Sequence, residues 1–462
     1  MKKKNRLNFF RFFLLVMLPV GLISCQSCEN TTAPEGVGPE TALKSYLENE
    51  DSTYSWEVKG SLDLQGVTRH NLILTSQQWR EHTWKHALTV LVPDNIEHDG
   101  ALLFITGGKI ENGIPNGPGS DDGFVNAMAQ VADLNSAVVA IVWQIPNQPL
   151  YDGLVEDELI SLTLHNFKND GDYTWPLLFP MVKGAIRAMD AVQEFTGENY
   201  SNEITRFVLS GASKRGWTTW LTGASDTRAE AIAPAVIDVL NMPVSLDYQV
   251  KVWGDYSVEI QDYVDLGIPQ DVHTPGGNDI TLMVDPYSYR DKLTMPKMIL
   301  LGTNDPYWPV DAIRHYLDGI PGENYINYVP NAGHGLGSGE QALFTLSAFF
   351  GHTLLKQPYP LCKWSVAENE TGITLSVEAT AEKLLGAKLW IADSQDRDFR
   401  NEYWTATSID AAGQNLVKVD VELPESGHKA FYLDLEYPSP SGGNYTKSTR
   451  MFVADSTGIH DD

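Results

Sequence analysis

Ser213, Asp305 and His334 are the residues whose types and order could do chemistry together. Ser213 lies in Arg206-Phe207-Val208-Leu209-Ser210-Gly211-Ala212-Ser213-Lys214-Arg215-Gly216-Trp217, an apolar run that ends in Gly-x-Ser ahead of a helix-like stretch. Gly211 and Ala212 are small enough for the backbone to turn sharply. A serine on such a strand-to-helix turn is pushed out to where a base can reach it. Arg215 stands where the usual Gly-x-Ser-x-Gly pattern has its last glycine, and Gly216 follows it. A serine hydroxyl is a weak nucleophile and needs a base. Leu300-Leu301-Gly302-Thr303-Asn304-Asp305-Pro306 reads as the end of a buried strand and a loop with an acid. Tyr328-Val329-Pro330-Asn331-Ala332-Gly333-His334-Gly335 reads as a second strand end with a base. His334 would take the serine proton, and Asp305 would hold the imidazole in the correct tautomer. Asp311, in the same loop region, is the nearest rival for the acid, and Asp238 is a weaker one. Taken singly, Ser213 reads as a helix cap, Asp305 as a turn residue and His334 as a loop histidine. Their order at three strand ends favours the triad.

The elements that must position them alternate. Asn71-Leu72-Ile73-Leu74-Thr75 and Ala87-Leu88-Thr89-Val90-Leu91-Val92 read as strands, with residues 77–86 between them as a hairpin. Ala101-Leu102-Leu103-Phe104-Ile105 and Ala137-Val138-Val139-Ala140-Ile141-Val142 are buried strands, and residues 123–134 and 179–195 have helical spacing. Strands that alternate with helices predict an α/β domain over residues 46–360, with a mostly parallel sheet covered on both faces. Residues 144–178 and 246–289 are long, aromatic-bearing connections and read as cap insertions over the site. After Gln357-Pro358-Tyr359-Pro360 the pattern becomes one of short alternating runs, such as Ile373/Leu375/Val377 and Phe431/Leu433/Leu435. These predict a small all-β, immunoglobulin-like sandwich over residues 361–462.

Gly-Ala-Ser-Lys-Arg-Gly-Trp-Thr-Thr-Trp (211–220), Gly-Thr-Asn-Asp-Pro-Tyr-Trp (302–308) and Gly-His-Gly (333–335) resemble the PhoPQ-activated pathogenicity-related proteins. The resemblance runs from about Tyr46 to the C-terminus. It implies a secreted or envelope protein of the α/β-hydrolase fold, with Ser213, Asp305 and His334 on the triad positions, and it implies no particular substrate. The Gly-x-Ser-Lys portion is also similar to the glucuronoyl esterases, in which a basic residue after the serine helps hold the oxyanion; Lys214 matches that position. In this fold one oxyanion donor is the N–H after the nucleophile, here Lys214, and the other comes from the loop after an earlier strand, here Gly107-Gly108-Lys109. Gly108 and Lys109 are both candidates for it.

The N-terminus bears on location. A basic Met1-Lys2-Lys3-Lys4-Asn5-Arg6 precedes an apolar stretch too short for a membrane span, which ends in Leu22-Ile23-Ser24-Cys25. This resembles a bacterial lipobox, so residues 1–24 are expected to be a lipoprotein signal peptide. Cys25 is then the lipidated residue, and residues 25–45 a flexible tether. The Gln26 that follows is similar to lipoproteins sent to the outer membrane. Cleavage removes five basic residues and no acid, and so takes the formal charge from −27 to −32. That balance excludes nucleic acid as a partner, since its recognition needs clustered Lys and Arg. Contact with a membrane is expected through the lipid anchor alone. Cys28 and Cys362 remain as a possible disulfide pair. No His/Cys spacing suits zinc and no Gly-rich phosphate loop follows a strand, so no metal and no cofactor are expected. The residues thus point to a serine hydrolase, with a slight lean to peptide over ester cleavage from the envelope setting and the acidic body. A carbohydrate esterase acting on a sugar ester is the alternative, and a non-catalytic binding or defence protein is the reading from another class.

Overall fold

The computed structural model describes residues 36–460 apart from Ser201 and Thr371. Cys25, Cys28, the expected signal peptide and most of the expected tether lie outside the described residues. Helix α1 (Pro39–Leu47) is the first described element, and seven of its residues fall in the segment expected to be tether. Ala42, Leu43 and Tyr46 are its buried side, and Tyr46 donates to Gln77 Oε1 at 2.7 Å, so burial holds a stretch whose composition reads as linker.

Strands β1 (Ser55–Asp63), β2 (Val67–Trp79) and β3 (His82–Pro93) form an antiparallel meander, with the expected hairpin turning at Arg80 and Glu81. Then come β4 (Gly100–Ile105), a short ribbon of β5 (Ile110–Glu111) and β6 (Ile114–Pro115), helix α2 (Gly123–Leu134), β7 (Val138–Val142), α3 (Glu156–Asp170) and α4 (Leu178–Asn199). Asp122 caps α2 by accepting from the Val125 N–H at 3.0 Å, as an N-cap aspartate should. The segment that carries Ser213 follows as β8 (Arg206–Ala212) and α5 (Lys214–Ser225). It is succeeded by β9 (Ala229–Ala235), α6 (Met242–Trp253), α7 (Gln261–Asp265), α8 (Pro275–Val284), β10 (Lys297–Gly302), β11 (Asn324–Val329) and α9 (Glu340–Leu354).

The sheet order is β1-β2-β3-β7-β4-β8-β9-β10-β11, parallel from β7 to β11. This is the α/β-hydrolase arrangement. Apolar residues fill both faces of the central strands, and alternate residues serve opposite layers. Leu103, Ala140 and Leu209 pack with α4 and α5 on one side, while Leu102, Val139 and Val208 pack with α2 and α9 on the other.

The C-terminal strands are β12 (Cys362–Glu368), β13 (Gly372–Ala379), β14 (Gly386–Ser394), β15 (Thr405–Ile409), β16 (Leu416–Glu422), β17 (His428–Pro438), β18 (Asn444–Ser448), β19 (Phe452–Asp455) and β20 (Gly458–Ile459). They are antiparallel and make two sheets. One, β12-β13-β16, stands apart. The other runs β18-β17-β14-β15 and continues the hydrolase sheet, because β18 pairs with β11 through Ile326 and Ser448. Ile373, Leu375, Val377, Leu433 and Leu435 are fully buried between the two sheets, as their alternation predicts. Side chains deepen the junction: Asn327 Nδ2 donates to Thr446 Oγ1 at 2.8 Å, and Tyr328 N–H to Ser448 Oγ at 3.0 Å.

Candidate active site

Two glycines make the turn at Ser213 possible. A Cβ on Gly211 would lie 2.8 Å from Arg215 O and 2.9 Å from Ile105 O, and one on Gly216 would lie 2.8 Å from Ala235 O. The start of α5 therefore sits against β4 and β9 with no space for a side chain. Gly216 supplies the close approach that the missing glycine at 215 would otherwise provide. Ser213 has φ 60° and ψ −129°, a conformation that costs a non-glycine residue about 1–3 kcal/mol. Its N–H donates to Ala235 O at 2.9 Å, which ties the strained residue to β9. Ser213 occupies the N-cap position, yet its hydroxyl makes no capping bond, so the cap reading of this residue fails. Lys214 opens α5, and its N–H is one of the donors that a helix start leaves without an intrahelical partner, at the positive end of the helix dipole.

Asp305 and His334 meet as their order suggests. Asp305 Oδ1 accepts the Tyr307 N–H at 3.0 Å, so the residue is also a turn residue, and its Oδ2 lies 2.9 Å from His334 Nδ1. A carboxylate can only accept, so Nδ1 carries the proton and Nε2 presents its lone pair. The imidazole stacks on Tyr307, with ring centroids 4.1 Å apart. Among the described residues His334 Nε2 is buried and has no hydrogen-bond partner, and His334 lines the same pocket as Ser213. The rival acids are engaged elsewhere. Asp311 accepts from Tyr248 Oη at 2.7 and 2.8 Å and lies 3.4 Å from Arg397 and 3.6 Å from Arg314. Asp238 accepts from Tyr316 Oη at 2.5 Å, and burial pushes its carboxyl up to about 7.

The pocket is a cavity of about 60 Å³ with apolar walls that include Trp217, Ile237, Met242, Leu246, Ile268 and Trp308. Both segments expected to be caps contribute: Asp157 comes from 144–178, and Leu246, Ile260, Tyr263, Ile268 and Pro269 from 246–289. Its charges are paired. Asp157 accepts from Tyr263 Oη at 2.9 Å and lies 3.0 Å from Lys214 Nζ. Glu156 lies 2.8 Å from the same ammonium and takes both arms of the Arg215 guanidinium at 2.7 and 2.8 Å. Burial alone would raise the Glu156 carboxyl, but Arg215 and then Lys214 hold it down at about 2. Arg215, the residue that breaks the serine motif, is thus the latch between elbow and α3. Its guanidinium lies over Gly107, where a Cβ would come 2.5 Å from Nη2.

The structure brings Lys214 to the pocket and leaves Gly108 and Lys109 outside it. Gly108, at φ 143°, packs against Gln144 and accepts from Gln148 Nε2 at 3.2 Å, and with Lys109 it lines a separate depression beside Asn116 and Trp143. The loop after β4 packs against Arg215 and these two glutamines.

The C-terminal region reaches the site from the other side. Asn304, just before the acid, donates from Nδ2 to the carbonyls of Phe399 (3.0 Å), Arg400 (3.3 Å) and Glu402 (2.8 Å). Asn331, three residues before the base, makes a reciprocal pair with Trp404: Nδ2 donates to Trp404 O at 3.0 Å, and Trp404 N–H donates to Oδ1 at 2.7 Å.

The model of the PhoPQ-activated pathogenicity-related protein family matches residues 43–400. The chain belongs to that family. Every residue that lines the pocket lies inside the matched span, as do Asp305, Asn304 and Asn331. Autocrine proliferation repressor protein A of Dictyostelium discoideum is 30% identical over 431 residues, 86% of either chain. Among solved structures, an acetyl xylan esterase from Paenibacillus sp. R4 is similar at 13% identity, 67% of this chain, 92% of that one and a TM-score of 0.48. A glucuronoyl esterase from Solibacter usitatus is similar at 14% identity, 68% and 91% coverage and a TM-score of 0.40.

Sequence reasoning missed the Glu156–Asp157 latch and the Asn304 and Asn331 clamps. Arg215 was the visible signal for the first, because a buried cation beside the nucleophile demands a carboxylate. The clamps had none, since their partners are main-chain groups 73 to 98 residues away. Spacing also hid a cluster of His428, Asp455 and His460.

Proposed function

We propose that this family member is a serine hydrolase that cleaves an ester or amide next to an apolar acyl group. Ser213 Oγ attacks the carbonyl carbon while His334 Nε2 takes its proton, and Asp305 holds the resulting imidazolium. The Lys214 N–H donates to the oxyanion, a contribution of roughly 3 kcal/mol when such a donor is aimed at the developing charge. Collapse expels the alcohol or amine with the proton from His334. Water then repeats the sequence on the acyl-enzyme, which returns the acid and the free serine.

The observation that carries this reading is the Asp305–His334 pair at 2.9 Å beside a strained, uncapped serine in one pocket. The apolar walls support an aliphatic or aromatic acyl group, or a peptide's apolar side chain, rather than a charged sugar acid. The Lys214 ammonium is matched by Glu156 and Asp157, so its main-chain N–H is the better candidate donor.

The test is turnover of p-nitrophenyl esters from acetyl to octanoyl, beside peptide anilides with apolar or charged residues at the cleaved bond. The expected result is a kcat/KM at least about tenfold higher for medium apolar acyl groups than for acetyl, since each buried CH₂ is worth about 0.8 kcal/mol. Folded protein that turns over neither series would sink the hydrolase reading. The repressor named among its relatives would then favour a binding role.

A further inference from the structure

The C-terminal hairpin gathers three ligating side chains that the hydrolase reading does not use. His428 starts β17 and Asp455 ends β19; the antiparallel register pairs Lys429 with Ala454, which sets these two directly across from each other. β19 turns into β20 with Asp455 opposite Gly458, and the His460 N–H donates to Val453 O at 2.8 Å. Residues 453 and 455 share a face of the strand, so His460, opposite 453, presents its ring on the face that carries Asp455 and His428. One ligating atom from each of the three lies within 4.8 Å of the others, and His460 Nε2 is 3.1 Å from Asp455 Oδ2. The two imidazoles face each other with centroids 5.4 Å apart.

We infer that His428, Asp455 and His460 form a binding site for a divalent transition metal of the zinc class. Two imidazoles and one carboxylate are a donor set that suits zinc, whereas magnesium and calcium take oxygen ligands. Metal–ligand bonds near 2.1 Å place tetrahedral ligands about 3.4 Å apart. Atoms within 4.8 Å of one another have to close by no more than about 1.4 Å, which is within the reach of side-chain rotation. The carboxylate is already oriented: Asp455 Oδ1 accepts from the Thr457 N–H at 2.7 Å and from Thr457 Oγ1 at 2.6 Å, which leaves Oδ2 for the ion. All three residues are half-buried, so an ion can enter and keep a water as its fourth ligand. Arg314 and Arg397 both lie against Asp311. Arg314 also donates to the His460 main-chain carbonyl, which fixes the backbone at the third ligand. The bound ion would staple β20 and the end of the chain to β17.

Calorimetric titration of Zn²⁺ into EDTA-treated, dialysed protein tests the site without reference to hydrolysis. The expected result is saturation near one ion per chain, a rise in the thermal midpoint, and at least a tenfold weaker Kd in His428→Ala and in Asp455→Ala. Folded wild-type protein with no saturable zinc binding would overturn the proposal, as would unchanged binding in both variants. Should a variant fail to fold, Co²⁺ added to wild type decides: strong visible absorption bands that zinc displaces support the site, and the weak spectrum of the hydrated ion refutes it.

Discussion

Ser213 and the Asp305–His334 pair, the proposed nucleophile and its acid–base partner, are held by different parts of the chain and by different means. Ser213 is fixed by backbone: two glycines pressed against β4 and β9, a hydrogen bond to Ala235 O, and a guanidinium latch to α3. Asp305 and His334 sit on loops, and amide side chains fasten those loops to the segment 399–404 of the C-terminal region. The first half is a local solution that any strand–turn–helix of this kind needs. The second depends on residues 73 to 98 positions away. The C-terminal β region thus touches both loops, and the sheet runs on into it through the pairing of β11 with β18.

The sharpest break in this comparison is at the acid. Asp305→Asn should lower the rate of acylation by on the order of 10⁴-fold by fixing the wrong imidazole tautomer. Asp311→Asn should leave the rate within a few-fold and lower the thermal midpoint, because it takes the carboxylate away from two half-buried arginines. Comparable rate losses in both variants would reopen the acid assignment.

Next in size is the latch. Glu156→Gln leaves Lys214 and Arg215 short of a carboxylate, and acylation should slow by about tenfold as the elbow loosens, in line with other losses of supporting contacts. The latch also has a pH signature. Glu156 has its carboxyl at about 2 in the folded protein against an ordinary value of 4.5, so its stabilisation is complete above 4.5 and is lost as pH falls toward 2. The stability gap between wild type and Glu156→Gln, read from urea unfolding, should therefore be largest at neutral pH and shrink below pH 4. A gap that stays constant would show that the latch is not ionic.

The smallest effect is expected at the clamps. Asn304→Ala and Asn331→Ala should each cost about 2 kcal/mol of stability by leaving buried carbonyl or N–H groups unpaired. They should lower kcat more than KM, because they displace the acid–base loops and leave the apolar pocket intact. Equal losses in the two constants would mean that the pocket itself has shifted.

The serine turn, the order of acid and base and most of the alternating elements were legible because each rests on local pattern. Residues 123–134 read as a helix and are one, with Asp122 at its cap. The buried alternation at Ile373, Leu375 and Val377 was equally local. What stayed hidden was non-local. No periodicity in residues 361–462 reveals that Ser448 will pair with Ile326 and extend the hydrolase sheet. Composition reads residues 39–45 as linker, although Ala42 and Leu43 find a surface to bury against. Gly107-Gly108-Lys109 reads as an oxyanion loop from its place after a strand and its glycines, and only the position of Arg215 shows why Gly107 has no side chain. The His428–Asp455–His460 cluster is assembled by strand register across 32 positions, beyond any ligand spacing that a linear motif records.

The most direct test of the central claim is fluorophosphonate labelling of the folded protein, with the modified residue located by peptide mass spectrometry. The account predicts one labelled residue, Ser213, and no label in Ser213→Ala. A label on another serine, or none on folded wild type, would contradict it.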